Sequence, residues 1–106
     1  YWPHVDLCVH DSFEEVVEIF PPERLFLMTK KARRLYVDIE MTGGSVFVFG
    51  RESRGLDEAI VERFRERCYR IPINEKVRSL NLANACSIVT YEALRQMEWS
   101  PLGLYD

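Results

Sequence analysis

The sequence lacks the cysteine pattern of a disulfide framework or of a zinc site. Its three cysteines, Cys8, Cys68 and Cys86, are odd in number and have no CxxC spacing. It also lacks an apolar run long enough to span a bilayer, and its first residues show neither a basic leader nor an apolar signal segment. We therefore expect a soluble, cytoplasmic protein with no membrane contact and no bound metal.

The sequence has no excess of positive charge that would mark the whole molecule as a nucleic-acid binder. Its formal net charge is −3 over 106 residues, so contact with RNA would depend on local patches. The run KKARR at residues 30–34 is one such patch, and a solvated turn is the alternative explanation for it. Length and composition, with 47% hydrophobic and 29% charged residues, predict one globular domain over residues 1–106.

Segments with strand and helix periodicity alternate along the chain, which predicts an α/β layer fold. The continuously apolar run at 45–50 is typical of a strand covered on both faces, as in a parallel sheet. The expected strands occupy residues 4–10, 24–29, 35–41, 45–50 and 68–73. The expected helices lie within residues 11–22, 56–67 and 82–99.

Capping residues mark the starts of two helices. Ser12, with Glu15 three positions later, forms a capping box, and Asn81 is an N-cap candidate for the last helix. That helix carries no charge from Leu82 to Tyr91. Its first half is therefore predicted to be buried nearly all round, as between a sheet and a second subunit, with Tyr91 in the core or in that interface.

A metal site on the polar row of the first predicted strand is excluded by distance. A strand rises about 3.3 Å per residue, so His4 and His10 would lie roughly 20 Å apart, whereas metal–ligand bonds are about 2 Å long. We expect His4, Cys8 and His10 to form a solvated face instead.

A glycine pair follows the apolar run at 45–50, in the stretch FGRESRGL. Gly50 and Gly55 have the spacing of a P-loop, but Leu56 and Asp57 stand where that motif needs Lys and then Ser or Thr. A dinucleotide-binding fingerprint is missing as well. What remains is a turn at the carboxyl end of a buried strand, for which ligand contact and ordinary turn formation are both open.

A second polar constellation precedes the last helix, in IPINEKVRSLNLANA at residues 71–85. It contains Arg78, Ser79, Asn81 and Asn84, all of which form hydrogen bonds readily. Helix capping explains Asn81, but it does not explain why Arg78 and Ser79 lead into an uncharged helix.

Taken in order, FGRESRGL, RIPI and RSLNLANACSIVTYEALRQ closely resemble motifs two and three of the SpoU/TrmH branch of the SPOUT methyltransferases. Within that branch the chain is most similar to the TrmL group of tRNA (cytidine(34)/uridine(34)-2'-O)-methyltransferases. The resemblance implies an enzyme that transfers a methyl group from S-adenosylmethionine to the ribose 2'-hydroxyl of the wobble nucleotide of a tRNA. It also implies a SPOUT-type parallel sheet with a C-terminal trefoil knot, a rare exception among folds, and a homodimer formed through the C-terminal helix.

The resemblance also assigns roles to residues. Three loops that wrap the cofactor in the family correspond here to Met28 with Thr29, to 50–55 and to 71–80. The implied cofactor-binding residues are Met28, Thr29, Gly50, Glu52, Gly55, Ile71, Ile73, Ser79 and Leu80. The implied catalytic residues are Glu52, Arg54, Arg78, Ser79 and Asn81. Glu52 and Arg54 would organise the site or the RNA, Ser79 and Asn81 would orient groups, and Arg78 could bind a phosphate.

Two features depart from the family pattern. Arg51 stands where the TrmL group usually has proline, which is expected to loosen the turn and to add a charge near the substrate. The family's motif one, an Asn-rich turn followed by a helix with a catalytic arginine, has no counterpart in these residues, so the fold is expected to lack its N-terminal part. The alternative hypothesis is therefore a non-catalytic cofactor- or RNA-binding module.

Overall fold

Three short parallel strands form the centre of the fold in the computed structural model, which describes residues 5–52, 54–74, 76 and 80–103. β1 spans Leu25–Met28, β2 spans Val46–Phe49 and β3 spans Cys68–Tyr69. The order in the sheet is β2-β1-β3, and both neighbours run parallel to β1. The predicted parallel α/β fold is confirmed at this level.

Three helices cover the sheet: α1 spans Phe13–Ile19, α2 spans Glu58–Arg63 and α3 spans Leu82–Gln96. Single turns of 3-10 helix lie at Pro22–Arg24, Tyr36–Asp38, Arg65–Arg67 and Ser100–Leu102. Within the part of the chain that the structure describes, no helix has both the length and the apolar character needed to cross a membrane.

The central strand separates two hydrophobic clusters, because successive side chains of a strand point to opposite faces. Leu25 and Leu27, both fully buried, pack with side chains of α1 and α2. Phe26 and Met28 pack on the other face with side chains of α3. The edge strand β2 follows the same alternation and is half-buried, so helices cover both faces of the sheet as the apolar run at 45–50 predicted.

Both predicted helix starts are confirmed. The Glu15 carboxylate accepts hydrogen bonds from the backbone amides of Ser12 at 3.3 Å and Asp11 at 2.6 Å. The Asn81 side-chain oxygen accepts hydrogen bonds from the amides of Ala83 at 2.8 Å and Asn84 at 3.4 Å. These bonds satisfy amides that the first turn of a helix leaves without intrahelical partners.

The strand predicted at 4–10 is wrong for residues 5–10, which have no regular structure. Val5, Leu7 and Val9 are 52, 65 and 87% exposed. Alternation yields a strand only where a sheet edge pairs the backbone, and none of the three strands pairs with this segment. His4 lies outside the described residues, among which no three metal-ligating side chains of His, Cys, Asp or Glu come together.

The strand predicted at 35–41 is also wrong. Leu35 forms one isolated bridge to Arg70, after which Tyr36–Asp38 closes a 3-10 turn with the Ile39 amide bonded to the Tyr36 carbonyl at 3.2 Å. Ile39 and Met41 are nevertheless buried. The alternating pattern therefore predicted correctly that Ile39 and Met41 enter the core. They are buried after a 3-10 turn, however, and not as part of a hydrogen-bonded strand.

Within a single chain, helix α3 is buried along one stripe only. Its first half is largely exposed or half-buried, and its buried members are Val89, Glu92 and Ala93. Tyr91 is 62% exposed and makes an edge-on contact with Trp99, so it lies outside the core of the chain, and its place in an interface stays a prediction. A sheet of three short strands contacts only one stripe of a 15-residue helix, and the burial expected against a second subunit likewise stays a prediction.

A buried carboxylate anchors the second half of α3. Glu92 accepts two hydrogen bonds from Arg95, at 2.8 and 2.9 Å, and one from Gln96 at 2.8 Å. Gln96 in turn accepts from the Met41 amide at 2.8 Å and donates to the Ile39 carbonyl at 2.9 Å. This network ties the helix to the 39–41 segment, and satisfied partners make the burial of Glu92 tolerable.

Candidate functional site

A cavity of about 530 Å³ opens where the three strands end. Parallel strands bring their carboxyl ends to one edge of a sheet, which is where ligands of open α/β sheets bind. Met28 ends β1, Phe49 ends β2 and Ile71 follows shortly after β3. Every described member of the implied cofactor set lines the cavity: Met28, Thr29, Gly50, Glu52, Gly55, Ile71, Ile73 and Leu80.

The turn after β2 is closed on itself by its two glycines. A β-carbon on Gly50 would lie 2.1 Å from the Gly55 carbonyl carbon and 2.2 Å from the Leu56 nitrogen, so only glycine fits there. Gly55 has φ +70°, a backbone conformation that favours glycine. Arg51 and Gly55 also exchange backbone hydrogen bonds of 2.7 and 3.2 Å. The turn is thus fixed by backbone geometry rather than by side-chain packing.

Charged side chains of this turn face outward. Arg51 forms an ion pair with Asp57 at 3.0 Å, so the residue expected to loosen the turn pairs with the residue that precedes α2. Glu52 and Arg54 line the cavity, are exposed, and form no salt bridge with each other. Within the part of the chain that the structure describes, a mutual ion pair therefore does not explain why these two residues are charged.

The other side of the cavity is held by hydrogen bonds that link β1 to β3. The Thr29 amide donates to the Tyr69 carbonyl at 2.9 Å, and the Thr29 hydroxyl accepts from the Lys31 amide at 3.2 Å. These bonds turn the chain away from the sheet just after Met28. The end of β1 consequently becomes a fixed wall of the cavity.

The cavity combines apolar walls with a charged mouth. The apolar lining comes from Met28, Phe49, Leu56, Ile71, Ile73, Leu80, Leu82 and Ala85. The charged lining comes from Lys30, Lys31, Arg51, Glu52, Arg54 and Arg70, among which Glu52 is the single carboxylate. The apolar walls suit a ligand with an apolar or aromatic body, and the mainly cationic mouth suits an anionic molecule that reacts with it.

The implied catalytic residues are only partly brought together. Glu52 and Arg54 lie at the cavity mouth. Asn81 is absent from the lining, and its side-chain oxygen is engaged at the start of α3. Arg78 and Ser79 lie outside the described residues, and Ser79 also belongs to the implied cofactor set. Sequence reasoning singled out neither Lys31 nor Arg70 for the site, although KKARR and RIPI contain them.

A family model described as the SpoU rRNA methylase family matches residues 1–91. The chain belongs to the SpoU methylase family. Among curated SpoU relatives, a Bacillus subtilis protein named "Putative tRNA (cytidine(34)-2'-O)-methyltransferase" is 39% identical over 105 residues, which cover 96% of this chain and 66% of the relative. The tRNA (cytidine(34)-2'-O)-methyltransferase of Methylovorus glucosotrophus is 36% identical over 101 residues, covering 94% and 66%.

A solved SpoU-like structure described by the words "Structural insights into the 2-OH methylation of C/U34 on tRNA" superposes with a TM-score of 0.83. It is 41% identical and covers 92% of this chain and 64% of that one. The chain therefore spans slightly less than two thirds of the length of the relatives it matches.

Proposed function

We propose that this protein is a methyltransferase domain of the SpoU family that binds S-adenosylmethionine and methylates the ribose 2'-hydroxyl of nucleotide 34 of a tRNA. One observation carries the proposal: the cavity at the strand ends is lined by all eight described residues of the set implied for the cofactor. Family membership supports methyl transfer, and the names of the relatives support tRNA as the substrate.

The cavity has the properties that the cofactor requires. About 530 Å³ is within the usual range of roughly 300–1,000 Å³ for small-molecule sites. Its apolar walls suit an adenine ring, and Gly50 leaves the backbone bare where a side chain would close the turn. Met28, Ile71 and Leu80 would form the walls around the bound molecule.

When bound, S-adenosylmethionine supplies an electrophilic methyl group on a sulfonium whose leaving group is already activated. The task of the protein is then to position the ribose hydroxyl and to receive its proton. Glu52 is the carboxylate available at the cavity mouth for hydrogen bonding to that hydroxyl. The Arg54 guanidinium offers forked donors to an adjacent phosphate. Arg78, Ser79 and Asn81 remain predicted contributors.

The same proposal accounts for the uncharged face of α3. Its first half carries no charge, yet Ala83, Asn84, Ser87, Thr90 and Tyr91 are exposed. A second copy of the protein would cover this face, which supports a homodimer formed through α3. Leu80, Leu82 and Ala85 line the cavity together with Gly50 and Gly55, so the start of the C-terminal segment lies close to the glycine turn. The trefoil knot stays a prediction from the family resemblance.

Two measurements on one sample test the function. Calorimetric titration with S-adenosylhomocysteine is expected to give micromolar affinity, about −8 kcal/mol. Incubation with radiolabelled S-adenosylmethionine and unmodified tRNA is expected to place label on the ribose of nucleotide 34. Cofactor binding without transfer would instead identify the alternative, a non-catalytic cofactor- or RNA-binding module. If folded protein shows neither heat of binding nor methyl transfer, both the enzyme and the binding-module hypotheses are refuted.

A variant of the glycine turn tests where the cofactor binds. Gly55→Trp is expected to abolish S-adenosylhomocysteine binding. A β-carbon at Gly55 meets no atom within 4 Å, and this residue lines the cavity, so the indole would occupy space needed by the ligand. The positive φ of this residue adds a strain of about 1–2 kcal/mol, which leaves the fold intact. Gly43→Trp is the control, since its β-carbon also meets nothing within 4 Å but does not line the cavity. Unchanged affinity in Gly55→Trp would show that the site is misplaced.

A further inference from the structure

We propose that a second depression, the basic groove lined by residues 31–34 and 65–68, binds the phosphate backbone of the substrate RNA next to the reaction site. The groove has a volume of about 810 Å³, and Cys68 of β3 belongs to its lining. This proposal deepens the proposed function, because it assigns the RNA a path outside the cofactor cavity.

The charge of the groove is strongly one-sided although the protein as a whole is acidic. Its lining contains five cationic side chains and one carboxylate, that of Glu66. The five cations are those of Lys31, Arg33, Arg34, Arg65 and Arg67. Against a net charge of −3 for the chain, this is a concentrated positive patch of the kind that attracts a polyanion.

Two of these guanidinium groups are fixed in place without being neutralised. Arg67 donates to the carbonyls of Leu25 at 3.0 Å and Glu23 at 2.8 Å, and Arg34 donates to the carbonyl of Glu66. Carbonyl oxygens hold a guanidinium in position but leave its net charge available. Two fixed positive charges therefore line the groove.

The remaining cations of the groove are free or weakly paired. Arg33 is exposed and has no ion pair or side-chain hydrogen bond among the described residues. Lys31 pairs with Glu58 and Arg65 pairs with Glu62, but both carboxylates are highly exposed, at 86 and 66%. Exposed ion pairs contribute only about 0 to 1 kcal/mol, so a phosphate competes readily for these cations.

The groove adjoins the cofactor cavity, because Lys31 lines both. RNA held in the groove would therefore lie next to the cavity mouth. Burial raises the pKa of the Cys68 thiol, which also lines the groove, while the charges of Arg65 and Arg34 act in the opposite direction.

The test compares RNA affinity at several salt concentrations for a groove variant and a matched control. The probe is a fluorescein-labelled anticodon stem-loop RNA, followed by fluorescence anisotropy. The groove variant is the double substitution Arg33→Ala with Arg65→Ala, which leaves the structural Arg34 and Arg67 in place. The control is Arg63→Ala, an exposed arginine close by that lines neither depression.

We expect the double variant to bind the RNA about tenfold more weakly than the wild type, with the control unchanged. The slope of log affinity against log salt should fall in magnitude by about 0.7 for each lost phosphate contact. Binding of S-adenosylhomocysteine should be unchanged in both variants. Loss of RNA binding in the double variant alone supports the groove even if no methyl transfer is detected.

Other outcomes overturn the groove without deciding the proposed function. Equal RNA affinity in the double variant and the control, together with methyl transfer by the wild type, would reject the groove and keep the enzyme. Absence of RNA binding by the wild type at low salt would also reject it. So would binding of equimolar phosphatidylserine and phosphatidylcholine vesicles in place of RNA, which would assign the groove to a membrane surface.

Discussion

A β-carbon added to Gly50 would lie 2.1 Å from the carbonyl carbon of Gly55. The two glycines therefore contact each other through their backbones, and the charged residues Arg51, Glu52 and Arg54 of the turn are exposed. Leu56 follows at once and packs beside the core that lies under α1 and α2. The packing of Leu56 holds one side of the turn against the sheet, while Gly50 and Gly55 line the cavity on the other side.

The two glycines are expected to respond differently to alanine. Gly50→Ala should prevent normal folding, because the new methyl group would overlap backbone atoms that cannot move aside. Gly55→Ala should cost only about 1–2 kcal/mol of unfolding free energy, from its positive φ. Urea unfolding followed by circular dichroism measures both, with Gly43→Ala as the control. A Gly50→Ala protein as stable as the control would contradict the close contact.

Asn81 is expected to matter for stability as the cap of α3. Asn81→Ala should lower the free energy of unfolding by about 1 kcal/mol, since the amides of Ala83 and Asn84 lose their side-chain acceptor. Asn84→Ala is the matched control, because it changes the same residue type one turn later without removing the cap. Equal losses in a thermal unfolding experiment would argue against the cap.

Glu92 should make stability depend on acid. The hydrogen bond from Arg95 holds the pKa of the Glu92 carboxyl below its ordinary value of 4.5; burial opposes this, and Gln96 assists it. Because the folded pKa is the lower one, the stabilisation is complete above about pH 4.5 and is lost as the pH falls through the folded value.

Glu92→Gln should therefore be less stable than the wild type at neutral pH and should lose less stability between neutral pH and acid. Melting temperatures across that range measure the difference. Glu18→Gln, an exposed residue of α1, should keep the wild-type profile. If Glu92→Gln also keeps the wild-type profile, the carboxylate is not the origin of the acid sensitivity.

Gln96 is expected to couple α3 to the 39–41 segment. Gln96→Met keeps the bulk but leaves the Met41 amide and the Ile39 carbonyl without partners, at a cost of about 1–3 kcal/mol. Urea unfolding measures this loss. Thr90→Ala, at an exposed position of the same helix, should change little. The coupling would be refuted by equal stability of the two variants.

Tyr91 tests the proposed homodimer. A charge placed on the uncharged face of α3 by Tyr91→Arg should weaken self-association by at least about tenfold, as expected for a central interface tyrosine. Sedimentation equilibrium measures the association constant. Ile19→Arg adds the same cation at an exposed position of α1, which packs on the opposite face of the sheet from α3, and should leave association unchanged. Unaltered association in Tyr91→Arg would exclude this face as the contact.

Local chemistry explains which predictions from sequence were correct. The capping box at Ser12, the cap at Asn81 and the run at 45–50 depend on neighbours within a few residues, and each has the expected structure. The alternating segments 5–10 and 35–41 failed as strands because a strand also needs a partner edge, which no local pattern supplies.

The candidate site was predicted in its parts but not in its arrangement. Motif resemblance nominated the turns after β1, β2 and β3, and all eight of its described cofactor residues line one cavity. Residues such as Lys31 and Arg70 could not be chosen from sequence, since their places at the mouth depend on how the strand ends converge. The buried Glu92 was equally hidden, because its burial depends on Arg95 and Gln96 together with the distant 39–41 segment.

Family membership, the helix caps and the glycine turn were predictable from the residues alone. The strand order β2-β1-β3 and the cavity at the strand ends, with the basic groove beside it, could be found only in the folded chain. The difference lies in the distance along the chain over which each effect acts. Backbone geometry and capping act between near neighbours, whereas strand pairing, cavity formation and the sum of distant charges depend on residues that only folding brings together.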